Sequence, residues 1–302
     1  MKIAIIGDGY IGQAFSSLGD VIDRETISFL RDEDTIKFYS LINKYDVIIN
    51  TYEYRHPFYR KETKTLFRTL WIENADFVDR LSSECDLCGK KFVQISTADL
   101  YGNYFKWDKD VETSTALDVG TDYRFTKLAA EKFCHPKDLI IRIRNAFDAN
   151  PHPDNAIIKG YMADRMYAWS DTWSYLPDVV KAVKLLLEQE QTGIYNIVNF
   201  EASSLFYCLK TAIGIPFFKS LDPIKEDLEN FLMKTFDNVR IHNDTNGSKI
   251  KELYTMTPLD AAMILSWQGI KEHYAANFNE EKFLHILNNV VDSSHEHPST
   301  NH

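Results

Sequence analysis

Tyr123 and Lys127 stand four residues apart in the stretch Thr121-Asp122-Tyr123-Arg124-Phe125-Thr126-Lys127-Leu128-Ala129-Ala130-Glu131-Lys132. This run is rich in Lys, Leu, Ala and Glu and meets no Pro or Gly before Pro136, so it reads as helix. A four-residue spacing puts both side chains on one helical face, one turn apart. A fixed ammonium beside a phenol stabilises the phenolate and makes the hydroxyl a better proton relay. The same spacing is also common as a plain surface pair, so it needs company. Ser96 and Thr97 supply hydroxyls upstream, and Asp99 follows them. Asp99 reads either as a second acid–base group that moves a proton at carbon or as an aspartate capping its own turn.

The elements that would position these groups alternate strand and helix. Lys2 to Ile6 is a short, doubly buried strand, followed by Gly7-Asp8-Gly9-Tyr10-Ile11-Gly12 and a helix from Gln13. A G-x-G-x-x-G turn between a strand and a helix lets backbone amides approach a pyrophosphate, which points to dinucleotide binding at Gly7, Gly9, Tyr10, Ile11 and Gly12. The sequence predicts a second strand over Glu25–Leu30, followed by Arg31. An Arg there accommodates a 2′-phosphate, so NADP(H) is favoured over NAD(H), the other reading being a solvated loop arginine. Helix is expected over Asp34–Asn43. A third strand runs Asp46–Asn50 and ends in Asn50 and Thr51, both expected along the cofactor. Helix follows over roughly Lys64–Cys88, with Gly89 as its stop. Cys85 and Cys88 read as structural, because no second cysteine pair gives zinc spacing. The fourth strand is Lys91–Thr97, whose end faces the ligand crevice of a parallel sheet. The fifth is Asp138–Arg144.

The fold class is therefore α/β. Residues 1–148 form a doubly wound parallel (Rossmann) sheet, 149–290 a smaller C-terminal α/β substrate-binding region with parts packing back on the sheet, and 291–302 a frayed tail. In the second region, helix is expected near Ile157–Met166 and over Leu176–Glu188, then a strand around Thr192–Val198. Further helix is expected over Leu205–Ala212, 222–235, 258–266 and 267–289. The 302 residues carry a net charge of −10, which argues against a nucleic-acid surface. No apolar run approaches the ~20 residues of a membrane span, and Met1-Lys2 leads into a strand without a signal pattern. Few, scattered cysteines suit a reducing, cytoplasmic setting. No metal site is expected.

The glycine turn, Ser96-Thr97 at a strand end, Tyr123-x-x-x-Lys127 and Leu139-Ile140-Ile141-Arg142 occur in an order that resembles the extended short-chain dehydrogenase/reductase superfamily. Thr97-Ala98-Asp99-Leu100-Tyr101-Gly102 looks like the S/T-x-x-x-Y-G segment of its nucleotide-sugar epimerases, dehydratases and reductases. Arg142-Ile143-Arg144 with Asn150-Pro151 and Asn155-Ala156-Ile157-Ile158-Lys159 is similar to UDP-4-keto-rhamnose epimerase/reductases. Trp173 to Asp178 and Thr192 to Asn196 continue that likeness. Arg240-Ile241-His242-Asn243 and Ser248-Lys249-Ile250 resemble a segment of dTDP-4-dehydrorhamnose reductases. The chain departs from these families in three ways. Its glycine turn is one residue shorter than the common G-x-x-G-x-x-G. Thr51-Tyr52-Glu53 replaces the usual small residues after strand three. Asp99 stands where the epimerase/reductases carry Cys and the 4,6-dehydratases Glu, and Ala98 stands at the adjacent dehydratase Asp.

The resemblance implies an NAD(P)-dependent nucleotide-sugar reductase, with or without epimerase activity. Thr97 and Tyr123 would bind a C4 keto oxygen, Tyr123 would donate the proton, and Lys127 would hold the nicotinamide ribose. Arg240 would bind the diphosphate, with Asn145 and Asn155 as further substrate contacts. The partner implied is a nucleotide-diphosphate sugar, and a homodimer is compatible. Two alternatives stay open: an NAD-retaining C4 epimerase or 4,6-dehydratase, and a non-catalytic NADP-binding regulatory subunit.

Overall fold

Strands of four or five consecutive apolar residues are suited to burial on both faces, and the chain uses them so. The computed structural model describes residues 1–23, 26, 35–54, 64–101, 121–161, 170–204, 208, 211, 245 and 247–277. Among these residues, a six-stranded, all-parallel sheet is built from β1 (Ile3–Ile6), β2 (Asp20–Ile22), β3 (Val47–Asn50), β4 (Lys91–Thr97), β5 (Leu139–Ile143) and β6 (Gly193–Asn196). Its order is β2-β1-β3-β4-β5-β6. The chain steps from β1 outward to β2 and then returns to the other side of β1 for β3. The switch point thus lies between the carboxyl ends of β1 and β3, where open α/β sheets bind ligands.

Alternate strand residues feed two cores, as the two-residue strand period requires. Ile3, Ile5, Val47, Ile49, Val93 and Ile141 pack with α1 (Tyr10–Phe15) and a helix over Leu176–Glu188. Ala4, Ile6, Ile48 and Phe92 pack on the other face against the helices Thr35–Ile42, Phe77–Leu87 and Asp122–Phe133. Each buried Ile or Phe side chain contributes about 1.5–3 kcal/mol. A third, smaller core gathers Phe147, Ile157, Trp173, Met263 and Ile270 on the carboxyl-end side of the chain.

Several expectations change. The second strand of the sheet is Asp20–Ile22; of the expected Glu25–Leu30 only Thr26, which is helical, is among the described residues. Gly19 enables the earlier strand: a Cβ there would sit 2.2 Å from the Ile3 carbonyl oxygen. The helix over 64–88 is broken by a wide turn at Ile72–Asp76, between Lys64–Trp71 and Phe77–Leu87. Gly89 does end it, at φ +64°, with the Lys90 amide donating to the Cys85 carbonyl in a Schellman arrangement. Ser203–Ser204 pairs antiparallel with Ser170–Asp171, and the expected helices at 258–266 and 267–289 form one helix through Asn277. The regions 222–235 and 291–302 lie outside the described residues. Among the described residues, no helix is long and apolar enough to cross a membrane.

Candidate active site

Residues flanking the switch point form the candidate site. The backbone at Gly7 takes φ +111°, and a Cβ on Gly12 would fall 1.8 Å from the Gly7 carbonyl oxygen, so both positions require glycine. At Gly9, by contrast, a Cβ would meet nothing within 4 Å. The middle of the turn therefore opens onto space, and the first-turn amides beyond it are the kind that lack intrahelical acceptors. This cradle fits a dinucleotide pyrophosphate. Thr51, just past β3, donates its hydroxyl to the Ile6 carbonyl at 3.0 Å and so braces the turn from behind. Asn50 is fully buried, donating to the Gln94 side-chain amide oxygen Oε1 at 2.8 Å and accepting from the Tyr52 amide, so its side chain ties β3 to β4. Tyr10 is buried, donates to Asp148 at 2.8 Å and stacks on His152. Burial, then the Asp148 carboxylate, pushes its phenol far up, which suits a structural tyrosine. Ile11 is half-buried against the sheet core.

The proton-relay pair is built as its spacing implies. The helix Asp122–Phe133 starts at Thr121, whose hydroxyl accepts from the Arg124 amide at 3.2 Å. Tyr123 and Lys127 are both buried, at 6% and 3% exposure, so neither is a surface residue. Lys127 Nζ donates to the Ile95 carbonyl at 3.2 Å. Thr97 lies two residues further along the same strand, on the same face, and accepts the Asp99 amide at 3.1 Å through Oγ1. Sequence reasoning missed a third member, noting Glu53 only as an unusual residue after strand three. Its Oε2 accepts the Tyr123 hydroxyl at 3.0 Å and lies 3.3 Å from Lys127 Nζ.

Asp99 is not isolated. Arg144 donates to it and to Asp171, and the residue is 5% exposed. Burial opposes that charge, but the two carboxylates more than offset it and raise the Arg144 pKa. Arg142 is likewise held beneath the sheet, bidentate to Glu131 at 2.9 and 2.6 Å and donating to the Tyr101 hydroxyl at 2.7 Å. Asn145 adopts φ +41° and donates to the Thr172 carbonyl at 2.9 Å. Asn155 is fully buried: its amide donates to the Asp148 and Asn150 carbonyls and its oxygen accepts the Ile157 amide. It organises the 148–157 turn. Arg31 and Arg240 lie outside the described residues. Where the sequence placed Arg31 after strand two, the observed strand is followed by Asp23, whose carboxylate accepts the Thr26 amide at 2.8 Å. No disulfide forms among the four cysteines. Among the described residues, no group of three His, Cys, Asp or Glu side chains is arranged to hold a metal.

Residues 15–138 match the model of the NAD dependent epimerase/dehydratase family. No curated protein sequence matches the chain. Solved structures with this fold include a UDP-rhamnose synthase from Acanthamoeba polyphaga mimivirus, at 18% identity over 89% of this chain and 99% of that one, with a TM-score of 0.71. A dTDP-4-dehydrorhamnose reductase from Clostridium acetobutylicum aligns at 18% identity over 87% and 97%, with a TM-score of 0.67. A dTDP-glucose 4,6-dehydratase from Bacillus anthracis, in complex with NAD, aligns at 14% identity over 90% and 97%, with a TM-score of 0.66. Family match and fold agree with the extended short-chain dehydrogenase/reductase type that the motifs resemble.

Proposed function

We propose that the chain is a nucleotide-sugar reductase that reduces the C4 keto group of a nucleotide 4-keto-6-deoxy sugar with a nicotinamide cofactor. One observation carries this reading: Tyr123 and Lys127 are buried together beside the sheet's switch point, which the Gly7–Gly12 cradle borders. A buried phenol–ammonium pair suits proton transfer to a developing alkoxide. The cofactor, when bound, supplies the hydride. Tyr123 donates its proton to the C4 oxygen, Thr97 orients that oxygen through its hydroxyl, and Lys127 stabilises the phenolate left behind. Arg240 remains the proposed diphosphate ligand. Asn145 and Asn155 shape the turns beside the substrate side, and their observed bonds support a positioning role. Asp99 is ion-paired with Arg144, which engages its carboxylate and argues against service as the group that moves a proton at carbon. That pairing weakens the readings that need proton traffic at carbon, an added epimerase activity through enolisation and the 4,6-dehydratase.

Cofactor preference is argued from the residue that follows β2. An acid at the end of β2 bonds a ribose 2′-hydroxyl, whereas an Arg accommodates a 2′-phosphate. Asp23 holds that place, so we infer NAD(H) over NADP(H). The test is incubation with a panel of nucleotide 4-keto-6-deoxy sugars plus NADH or NADPH, following absorbance loss and identifying the product by NMR. Turnover is expected with at least one sugar, faster with NADH, and reduced roughly 10²–10⁴-fold in Tyr123→Phe. No turnover across the panel, or full activity of Tyr123→Phe, overturns the proposal.

A further inference from the structure

Glu53 is held in place by a local device. The wide turn Ile72–Asp76 interrupts the helix and brings two buried polar side chains against the segment after β3. Glu73 accepts the Tyr52 hydroxyl at 2.8 Å. Asn74 pins Tyr54 from both sides, accepting its amide at 2.7 Å and donating to its carbonyl at 3.0 Å. Tyr52 and Tyr54 are thus both held by one turn, and Glu53 stands between them in sequence. Wide turns of this kind often mark functional sites. The Glu53 side chain is 22% exposed, against 3% for Lys127. One oxygen, Oε2, meets both the phenol and the ammonium.

We propose that Glu53 is a positioning residue that gates the dinucleotide site, its carboxylate holding Lys127 and Tyr123 until the cofactor's ribose hydroxyls take over the ammonium. This inference rests on the proposed function, in which Lys127 serves the cofactor and Tyr123 the substrate. Two consequences follow from the charges. Cofactor binding must loosen a partly buried ion pair, so the carboxylate lowers affinity for the dinucleotide. While the pair is closed, the Tyr123 proton is directed at Glu53 and not at a substrate oxygen, which keeps the relay idle in the cofactor-free enzyme. Glu53→Gln keeps the side chain's shape and can still accept from Tyr123, but it no longer holds the ammonium by charge.

The test is a fluorescence titration with NADH on wild type, Glu53→Gln and Glu53→Ala, each checked for fold by circular dichroism. ADP, which carries the adenosine and diphosphate but no nicotinamide ribose, is titrated calorimetrically as the control. NADH should bind about tenfold more tightly to both variants, which corresponds to ~1.4 kcal/mol, and ADP should bind all three proteins alike. Glu53→Ala guards against the glutamine amide making a new contact. Unchanged or weaker NADH binding in the variants overturns the gate. A parallel change in ADP affinity also overturns it, since the effect would then come from the fold. If wild type binds neither NADH nor NADPH, the proposed function fails and takes the gate with it, whereas binding without a change in the variants sinks the gate alone.

Discussion

Glu131→Gln should destabilise this protein far more than the loss of one charge on a surface would. Glu131 and Arg142 side chains are 3% and 2% exposed, and the carboxylate receives Nε and Nη2 of the guanidinium and the Ser96 hydroxyl, the last at 2.5 Å. A glutamine offers one acceptor oxygen and one donor amide, so in either orientation a donor faces the guanidinium. The buried Arg142 charge then lacks its counter-charge. Breaking such a pair from one side costs roughly 3–5 kcal/mol. At about 2 °C per kcal/mol, Tm should fall by roughly 6–10 °C. Removing both partners, as in Glu131→Leu with Arg142→Met, leaves no orphaned charge and should cost less than the single change. Asp86→Asn, which breaks an exposed pair with Lys137, should leave Tm nearly unmoved. Scanning calorimetry on the four proteins decides. A Glu131→Gln loss below about 1 kcal/mol, or a double variant less stable than the single, refutes the reasoning from buried charge.

The glycine turn makes a paired prediction. Gly9→Ala should keep wild-type stability to within about 0.5 kcal/mol yet weaken NADH binding by filling the cradle. Gly12→Ala, whose Cβ would strike the Gly7 carbonyl, should lose both stability and binding, and titration with calorimetry separates the two. Acid stability should depend on His152. Burial depresses its imidazole below the usual range, so the unfolded chain takes up that proton first. The linked stability is present above about pH 6.5 and is lost as pH falls through the folded value. The difference between the stability–pH curves of wild type and His152→Phe, which can keep the ring stacked on Tyr10, should change in that window, and a flat difference rules the linkage out.

Long periodic elements were legible because their period alone fixes them. β4 runs Lys91–Thr97 and Leu176–Glu188 is helical, each as the apolar pattern requires. The second strand was not legible. Glu25–Leu30 alternates apolar and polar residues, whereas Asp20–Ile22 is three residues long and carries no period to read. What places it is tertiary: Gly19 lets the backbone approach Ile3, and the Tyr45 hydroxyl bonds Asp20 at 3.0 Å. The NADP preference rested on Arg31, which lies outside the described residues, because the cofactor-selecting residue is defined by where the strand ends. Asp23 could have been found only by asking which acid follows the earliest strand compatible with Gly12.

The site shows the same division between local and non-local causes. Tyr123 and Lys127 meet because four residues of helix bring them together, and any reader of the helix can see it. Glu53 joins them because of a turn about twenty residues further on. The sequence over 64–88 looks like continuous helix, and nothing in its composition announces the extra residue that widens Ile72–Asp76. Only that widening turns Glu73 and Asn74 back onto Tyr52 and Tyr54. A charged residue directly after a parallel strand's carboxyl end is nonetheless a signal in its own right. Strand ends at a switch point face the ligand, so an acid there either meets a cation or stays solvated. In this fold the cation within reach is Lys127, and the pairing follows from charge and place before any cofactor enters.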